Sequence, residues 1–518
     1  MQGSRIHLPA QERLSFMLSQ PKHVCSRENS YSETNKPIRV AVVGAGCTGL
    51  RIALLFKKLN ENGMPQRPVE VVIFEKRSEV GGFLQTRKNS SGLLVESGAQ
   101  GVLSSRTIFL RALEDIGLQP KDVITPPTQK QHATRYVIAP SGRIAPLSAN
   151  PFSLWKNRLL SPLQILRLIA ELFRSRQNTP PNPDENLYDF FKRHFGRACA
   201  ENFLLPFATG IWGGGAQKLL ARHAFPRLSQ IDLAHGSLLR FAFFSFIAKL
   251  LKKQTVESSL RYSWPRGLLS FPNGMQTLIE KMSDKLKESA PLITIRVNSP
   301  VQKIELDTAG KLIINEKEDD SFDSIFWTTS PWSAPDLVFA NKDAELEWKN
   351  LQNTPTHHLI VVNVSGQRNP ATRDGFGVLA RRESSGLLGV LFVHSIYPQH
   401  VPANLFSYRI LLAGDRNPEM ISWSDESLRT YCLQQLKTLG LLTNHESVSE
   451  IEIVRWPRAI GIADHEHDAR MNSLWRLEAH FPELRFAGIY KKGVGVADAL
   501  LSAEEAFEAW LSVPRPNR

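Results

Sequence analysis

The chain has 518 residues, 42% of them hydrophobic, enough for two or three domains that each bury a core. Its four cysteines, Cys25, Cys47, Cys199 and Cys432, are widely spaced and form no CxxC pair, which excludes a disulfide framework and suits a reducing compartment. The net charge of +13 suits an anionic membrane or an acidic small molecule; the basic residues are scattered and no nucleic-acid-reading motif is present, so nucleic acid is not an expected partner.

Residues 1–37 carry Arg5, Arg13, Lys22 and Arg27 among Ser, Gln and Pro, without the apolar run of a secretory signal. Glu12, Glu28 and Glu33 argue against an organellar transit peptide, so this segment reads as a partly disordered or surface-packed extension. No uncharged apolar stretch reaches the roughly 18 to 20 residues of a spanning helix. Ile38–Val43 then has the continuous apolar character of a buried parallel strand and runs into Gly44, Ala45, Gly46, Cys47, Thr48 and Gly49, a GxGxxG turn. The first glycine permits the turn, the second lets backbone approach a pyrophosphate, and the third lets the helix expected from Leu50 pack on the strand. A second strand, Val69–Phe74, ends at Glu75, 26 residues beyond Gly49, where a carboxylate accepts from ribose hydroxyls and repels a 2′-phosphate. A dinucleotide other than NADP is therefore expected.

The stretch from Arg77 to Gly81 and Gly82, followed by Gly92–Gly98, resembles the amine-oxidase-like flavoproteins, in which a glycine pair after the ribose acid lies along FAD. Phe486–Val496, a strand and glycine-rich turn, resembles that superfamily's C-terminal return to the flavin. Pro206–Gly215, Ala224–Leu228, His235–Leu238, Ser270–Leu278, Gly375–Gly377, Leu388–Phe392 and Tyr397-Pro398 follow in the order of the protoporphyrinogen oxidase family, which the chain resembles from about residue 38 to 511.

The resemblance implies non-covalent FAD and oxidation of a porphyrinogen to the porphyrin, with molecular oxygen as acceptor. The flavin N5 carries the chemistry, so no catalytic side chain and no metal is assigned. It places Arg135 on a substrate carboxylate and Gly213, Leu359 and Phe392 near the macrocycle. For the cofactor it implies Gly44 to Gly49, Glu75, Lys76, Gly82, Phe83, Gly98, Ala99, Gln100, Gly101, Val301, Ile489, Val494, Gly495 and Val496. Two departures stand out: Phe83 replaces a basic residue, and Ala459–His467 matches its family phrase only loosely. Coproporphyrinogen III is the nearest alternative substrate; a carotenoid desaturase, an amine oxidase or a flavoprotein without turnover are further ones. Asp464-His465-Glu466-His467 reads as a solvated face.

Leu163–Arg174 places Ile165, Leu166, Ile169, Leu172 and Phe173 on one helical face, and Leu238–Lys253 is more apolar and ends in a basic cluster with Lys249 and Lys252. These helices suit peripheral attachment to a membrane, either at its cytoplasmic face or at an organellar inner membrane. The expected architecture is α/β: a discontinuous Rossmann-like FAD domain (38–130, 270–310 and 450–518), a mostly helical membrane or lid insertion (131–269) and a mixed-sheet substrate domain (311–449). A homodimer is left open.

Overall fold

The computed structural model describes residues 36–513 except 64, 66, 149, 177–181, 252–259, 307–311, 318–319, 335–336, 338–341, 382–385, 415 and 444–447. The expectation for the first 37 residues, and that for Lys252 and Lys253, thus lie almost wholly outside the described residues.

Two sheets organise the chain. The first is parallel, with Ile38–Val43 at its centre, flanked on one side by Val69–Phe74 and then Ile293–Arg296, and on the other by Ser324–Trp327 and then Leu484–Phe486. Its strands read as apolar runs because both faces are covered. On one face lie the helices Cys47–Glu61, Gln276–Lys287 and Val496–Ser512, where Phe56 meets Phe326, Phe507 and Trp510 edge to face at 4.8 to 5.5 Å. On the other lie Lys342–Gln352, His467–His480 and a small antiparallel meander of Ile304–Leu306, Leu312–Ile314 and Ser321–Phe322. Buried Arg51 ties Cys47–Glu61 to Val496–Ser512, donating to Asp115 (2.7 Å) and Glu504 (2.5 Å). Removing one partner of such a pair costs about 3 to 5 kcal/mol, since the other charge stays buried.

The second sheet is mixed and has seven strands, in the order Val448–Gly461, Thr356–Gln367, Leu405–Ala413, Leu387–Phe392, Gly377–Leu379, Arg135–Ile138 and Ile144–Pro146. Its back face buries Ile360, Val362, Val364, Val390, Tyr408 and Ile410 against the helix Asp425–Thr438. A helical layer adjoins the other face and includes Pro162–Ala170, Leu187–Phe195, Leu205–Trp212, Pro226–His235 and Leu238–Leu251. One buried polar knot joins three of them to the turn that follows Pro162–Ala170. Glu171 accepts from Ser237 and from the backbone N–H groups of Leu238 and Leu239, and lies 2.9 Å from His194, whose other ring nitrogen is 3.2 Å from Asp232.

Three expected boundaries need correction. Val448–Gly461 pairs along Thr356–Gln367, so the cut at 450 falls inside a strand of the second sheet. Ser324–Trp327, expected in the substrate sheet, hydrogen-bonds to Ile38–Val43 in the first. Arg135–Ile138 and Ile144–Pro146 belong to the mixed sheet, not to a helical insertion. In each case strand pairing, a long-range property, overrides position along the chain. Among the described residues no helix is long and apolar enough to cross a membrane.

Candidate functional site

The glycine turn runs directly off the central strand. Gly44 takes φ +105°, a conformation that L side chains rarely adopt. A Cβ on Gly49 would overlap the Gly44 carbonyl oxygen, so the helix packs on the turn only with glycine there. At Gly46 a Cβ would meet nothing within 4 Å: the backbone opens onto a cleft, and the helix that follows has no side-chain cap at its N-terminus. Free N–H groups beside open space fit a phosphate.

Glu75, buried at the end of the second strand, accepts from the Ala45 N–H (2.9 Å) and the Arg77 N–H (3.0 Å). The acid therefore braces the glycine turn and retains lone pairs for ribose hydroxyls. Gly81 donates to the Ala45 carbonyl (2.9 Å), which brings the glycine pair beside the turn. Phe83 packs against Trp456 at a tilt, 4.7 Å between centroids, and Arg77 lies 5.7 Å over the same indole. The Trp456 indole N–H donates to the Ser97 carbonyl (2.9 Å).

Together these residues line a cleft of about 580 Å³ between the two sheets, within the usual range for a ligand pocket. Its ionisable walls are Glu75 with Lys76, Arg77 and Arg458, a basic balance that suits phosphates. Cys47 also faces it, with its thiol pushed up to about 12 by burial. Further along, Gly98 and Ala99 form one wall, and Ile489, Tyr490, Val494, Gly495 and Val496 another. The residues present fit a dinucleotide.

Of the expected cofactor residues, Gly44, Gly46, Cys47, Thr48, Glu75, Lys76, Gly82, Phe83, Gly98, Ala99, Ile489, Val494, Gly495 and Val496 all line the cleft, as does Leu359 from the substrate set. Ala45 and Gly49 sit just behind it. Gln100 and Gly101 lie on the same loop but not on the wall; a Cβ on Gly101 would press 2.6 Å from both the Leu269 carbonyl and the Tyr397 hydroxyl. Val301 is buried against the small meander, on a segment whose Ser299 N–H donates to the Glu75 carbonyl.

Phe392 is not a cleft residue. It is fully buried on the back face of the mixed sheet with Tyr408, because strand residues alternate sides and its neighbour Leu391 takes the front. Gly213 closes the helix Leu205–Trp212 at φ +75°, where a Cβ would lie 3.4 Å from Ile460, itself a cleft residue. Arg135 is exposed, stacked 4.7 Å over Phe376 and outside the cleft. His467, read as solvated, instead turns to His223 at 4.6 Å, and burial pushes its pKa down to about 4.

Register shows what single-residue reading missed. Leu359 and its partner Trp456 face the cleft, and the same side carries Asn363–Arg409–Leu391–Gly377–Arg135 as one row and Val361–Leu411–Gly389–Leu379 as the next. Leu359, Leu379, Leu391 and Leu411 are all half-buried there, although core leucines are usually covered. Thr328, Thr329, Ser330 and Arg458 also line the cleft; no local motif marks them, since sheet pairing alone brings them in.

Comparison with known proteins places this geometry. The profile of the family described as flavin containing amine oxidoreductase matches residues 57–508. A mitochondrial protoporphyrinogen oxidase of Nicotiana tabacum is 27% identical over 497 residues, covering 92% of this chain and 95% of its own. A coproporphyrinogen III oxidase of Staphylococcus aureus is 25% identical, covering 90% and 98%. Among solved structures, a protein of Exiguobacterium sp. 255-15 assigned as a protoporphyrinogen oxidase superposes with a TM-score of 0.72 at 18% identity, covering 92% of this chain and 99% of that one. Reduced UDP-galactopyranose mutase superposes at 0.66 with 14% identity, covering 93% and 95%. With the family profile spanning most of the sequence, the chain belongs to the flavin containing amine oxidoreductases and is a flavin-dependent oxidoreductase.

Proposed function

We propose that this chain oxidises protoporphyrinogen IX to protoporphyrin IX, using non-covalently held FAD and molecular oxygen, in porphyrin and haem biosynthesis. The observation that carries the reading is the front of the mixed sheet, where Leu359, Leu379, Leu391 and Leu411 form an apolar surface that begins at the flavin cleft and runs towards Arg135. Arg135 stands four strands from Leu359, about 19 Å at the usual inter-strand spacing. A large flat ring that carries carboxylates at its rim matches a surface of that length, apolar along its middle and cationic at its far end.

When bound, FAD supplies a two-electron acceptor that oxygen restores, so that three rounds remove six electrons and yield three hydrogen peroxide. The protein's part is to bind, orient and exclude water. Glu75 would accept from the ribose, the open backbone at Gly46 would receive the pyrophosphate, and the loop Gly98–Gly101 would flank the ring system. The segment of Val301 would hold the adenine end. Arg135 grips a propionate with its two-pronged guanidinium. Cys47, the cysteine that faces the cleft, keeps its proton at neutral pH, which favours a flavin held without a covalent bond.

The names of the tobacco and Arabidopsis thaliana relatives support protoporphyrinogen as substrate, whereas those of the Staphylococcus aureus and Bacillus subtilis relatives favour coproporphyrinogen III. Porphyrin fluorescence in air, with catalase present and autoxidation subtracted, decides between them. Faster turnover of protoporphyrinogen IX supports the first reading, faster turnover of coproporphyrinogen III the second, and fluorescence above background with neither refutes both.

Peripheral membrane attachment is part of the same reading. Leu163 and Leu166 on one helix, Phe173 in the short turn that follows it, and Phe243, Phe244 and Phe246 on another helix are mostly exposed, an apolar surface that suits a bilayer interface.

A further inference from the structure

Arg409 lies in the strand Leu405–Ala413, on the side of the sheet that Leu359 and Trp456 turn to the cleft. It is almost wholly buried, with 3% of its surface exposed. Buried arginines ordinarily face carboxylates. Here the guanidinium donates instead to three neutral acceptors of one loop: the Glu96 carbonyl (2.8 Å), the Gln100 side-chain oxygen (3.1 Å) and the Gly98 carbonyl. Gly98 and Ala99 of that loop are a wall of the flavin cleft.

The carboxylate of the nearby acid is not among these acceptors. The Glu96 carboxylate points away, accepting from the Met275 N–H (2.7 Å) and the Thr86 hydroxyl (2.9 Å). Burial pushes its pKa up to about 7, and burial pushes that of Arg409 down to about 10, so at neutral pH the cation keeps its charge beside a half-protonated acid. The other titratable groups around Glu96 are Tyr397, whose hydroxyl donates to the Leu268 carbonyl, and His400, tilted against that ring and bonded to the Phe271 carbonyl. Burial raises the pKa of the first and lowers that of the second, so both are neutral.

We propose that Arg409 is a positioning residue that raises the flavin's reduction potential, by holding a positive charge against the neutral acceptors of the cleft loop 96–100. The inference rests on the cleft's being the flavin site. Two electrons and one proton added to an oxidised flavin leave an anionic ring system, and a nearby cation in low dielectric stabilises that form over the neutral one. Above pH 7 the ionised Glu96 offsets the charge; below it the full effect of Arg409 is felt.

The test is a potentiometric titration of the flavin-loaded enzyme with dithionite and a reference dye, at pH 6 and pH 8.5. Arg409→Met is expected to disfavour reduction about tenfold at pH 6, some 30 mV for a two-electron couple. Arg409→Lys, which keeps the charge but loses the forked geometry, should retain most of the wild-type potential. Glu96→Gln should raise the potential over wild type at pH 8.5 by a similar factor and match it at pH 6. Equal losses in the Lys and Met variants, or no loss in Met, would overturn the inference. Where Arg409→Met sheds its flavin, a Glu96→Gln enzyme identical to wild type at pH 8.5 overturns it instead. A wild-type protein purified without yellow colour, and unable to take up FAD, would refute the assignment of the cleft itself.

Discussion

Replacing Gly46 by alanine should separate cofactor binding from folding. Gly46 has φ −79° and ψ −177°, which alanine adopts without strain, and its Cβ would enter empty space. Removing a glycine stabilises a chain by about 0.4 to 1 kcal/mol, while alanine is the poorer residue at a helix N-cap by a similar amount, so the apoprotein should melt within about 1 kcal/mol of wild type. The added methyl group would instead stand where a phosphate must meet the first N–H groups of the helix. Losing one or two hydrogen bonds to a charged group, at roughly 1.5 to 3 kcal/mol each, weakens FAD by about 3 kcal/mol, more than a hundredfold in Kd. Gly49→Ala is the control, because its Cβ would overlap the Gly44 carbonyl oxygen and lower the melting temperature of the apoprotein too. Thermal melts of both apoproteins and FAD titrations followed by quenching of flavin fluorescence make the comparison. An alanine at position 46 that binds FAD as tightly as glycine would show that the pyrophosphate lies elsewhere.

Arg135→Ala should keep its flavin and raise KM more than it lowers kcat; loss of flavin in the purified variant would place Arg135 at the cofactor rather than the substrate. Stability should depend on pH through Glu96. Its pKa of about 7 in the folded chain stands above the ordinary 4.5, so its contribution is full below pH 4.5 and is lost as pH rises to 7, by up to about 3 kcal/mol. Glu96→Gln should flatten that part of the curve in urea melts taken from pH 5 to 8, and an unchanged slope would assign it to another group. Replacing Phe243, Phe244 and Phe246 together by serine should cut co-sedimentation with anionic lipid vesicles at least tenfold without altering flavin content; unchanged sedimentation would remove these side chains from the membrane surface.

The residues that meet in the cleft were legible in the sequence where their determinants are local. A glycine turn, the acid ending the next strand and the glycines near residue 495 each carry their conformational requirement within a few residues, and fourteen of the expected positions meet in the cleft. The substrate half depends on parity along strands and on the order of strands in a sheet. Phe392 is a large apolar residue in the right phrase, yet one place along the strand separates the front of the sheet from its core, where Tyr408 packs against it. Likewise, Thr328 to Ser330 enter the cleft because Ser324–Trp327 slots beside Ile38–Val43, a pairing across more than 280 residues that no window of sequence discloses. Arg409 was invisible for a related reason: within Leu405–Ala413 it reads as an isolated charge in an apolar strand, and only the fold shows the loop whose carbonyls it gathers.

The last strand of the cofactor sheet, Leu484–Phe486, and the helix Val496–Ser512 that packs against Cys47–Glu61 have a bearing on how the enzyme is made. During synthesis the glycine turn leaves the ribosome more than four hundred residues before the segment that walls the opposite side of its cleft. Until then Phe56 lacks Phe507 and Trp510, and Arg51 lacks Glu504. A nascent chain can assemble the first strands but not close the cleft, so a ligand held there is captured only after Val496–Ser512 has been made. Chains cut short before Ile489 should emerge colourless.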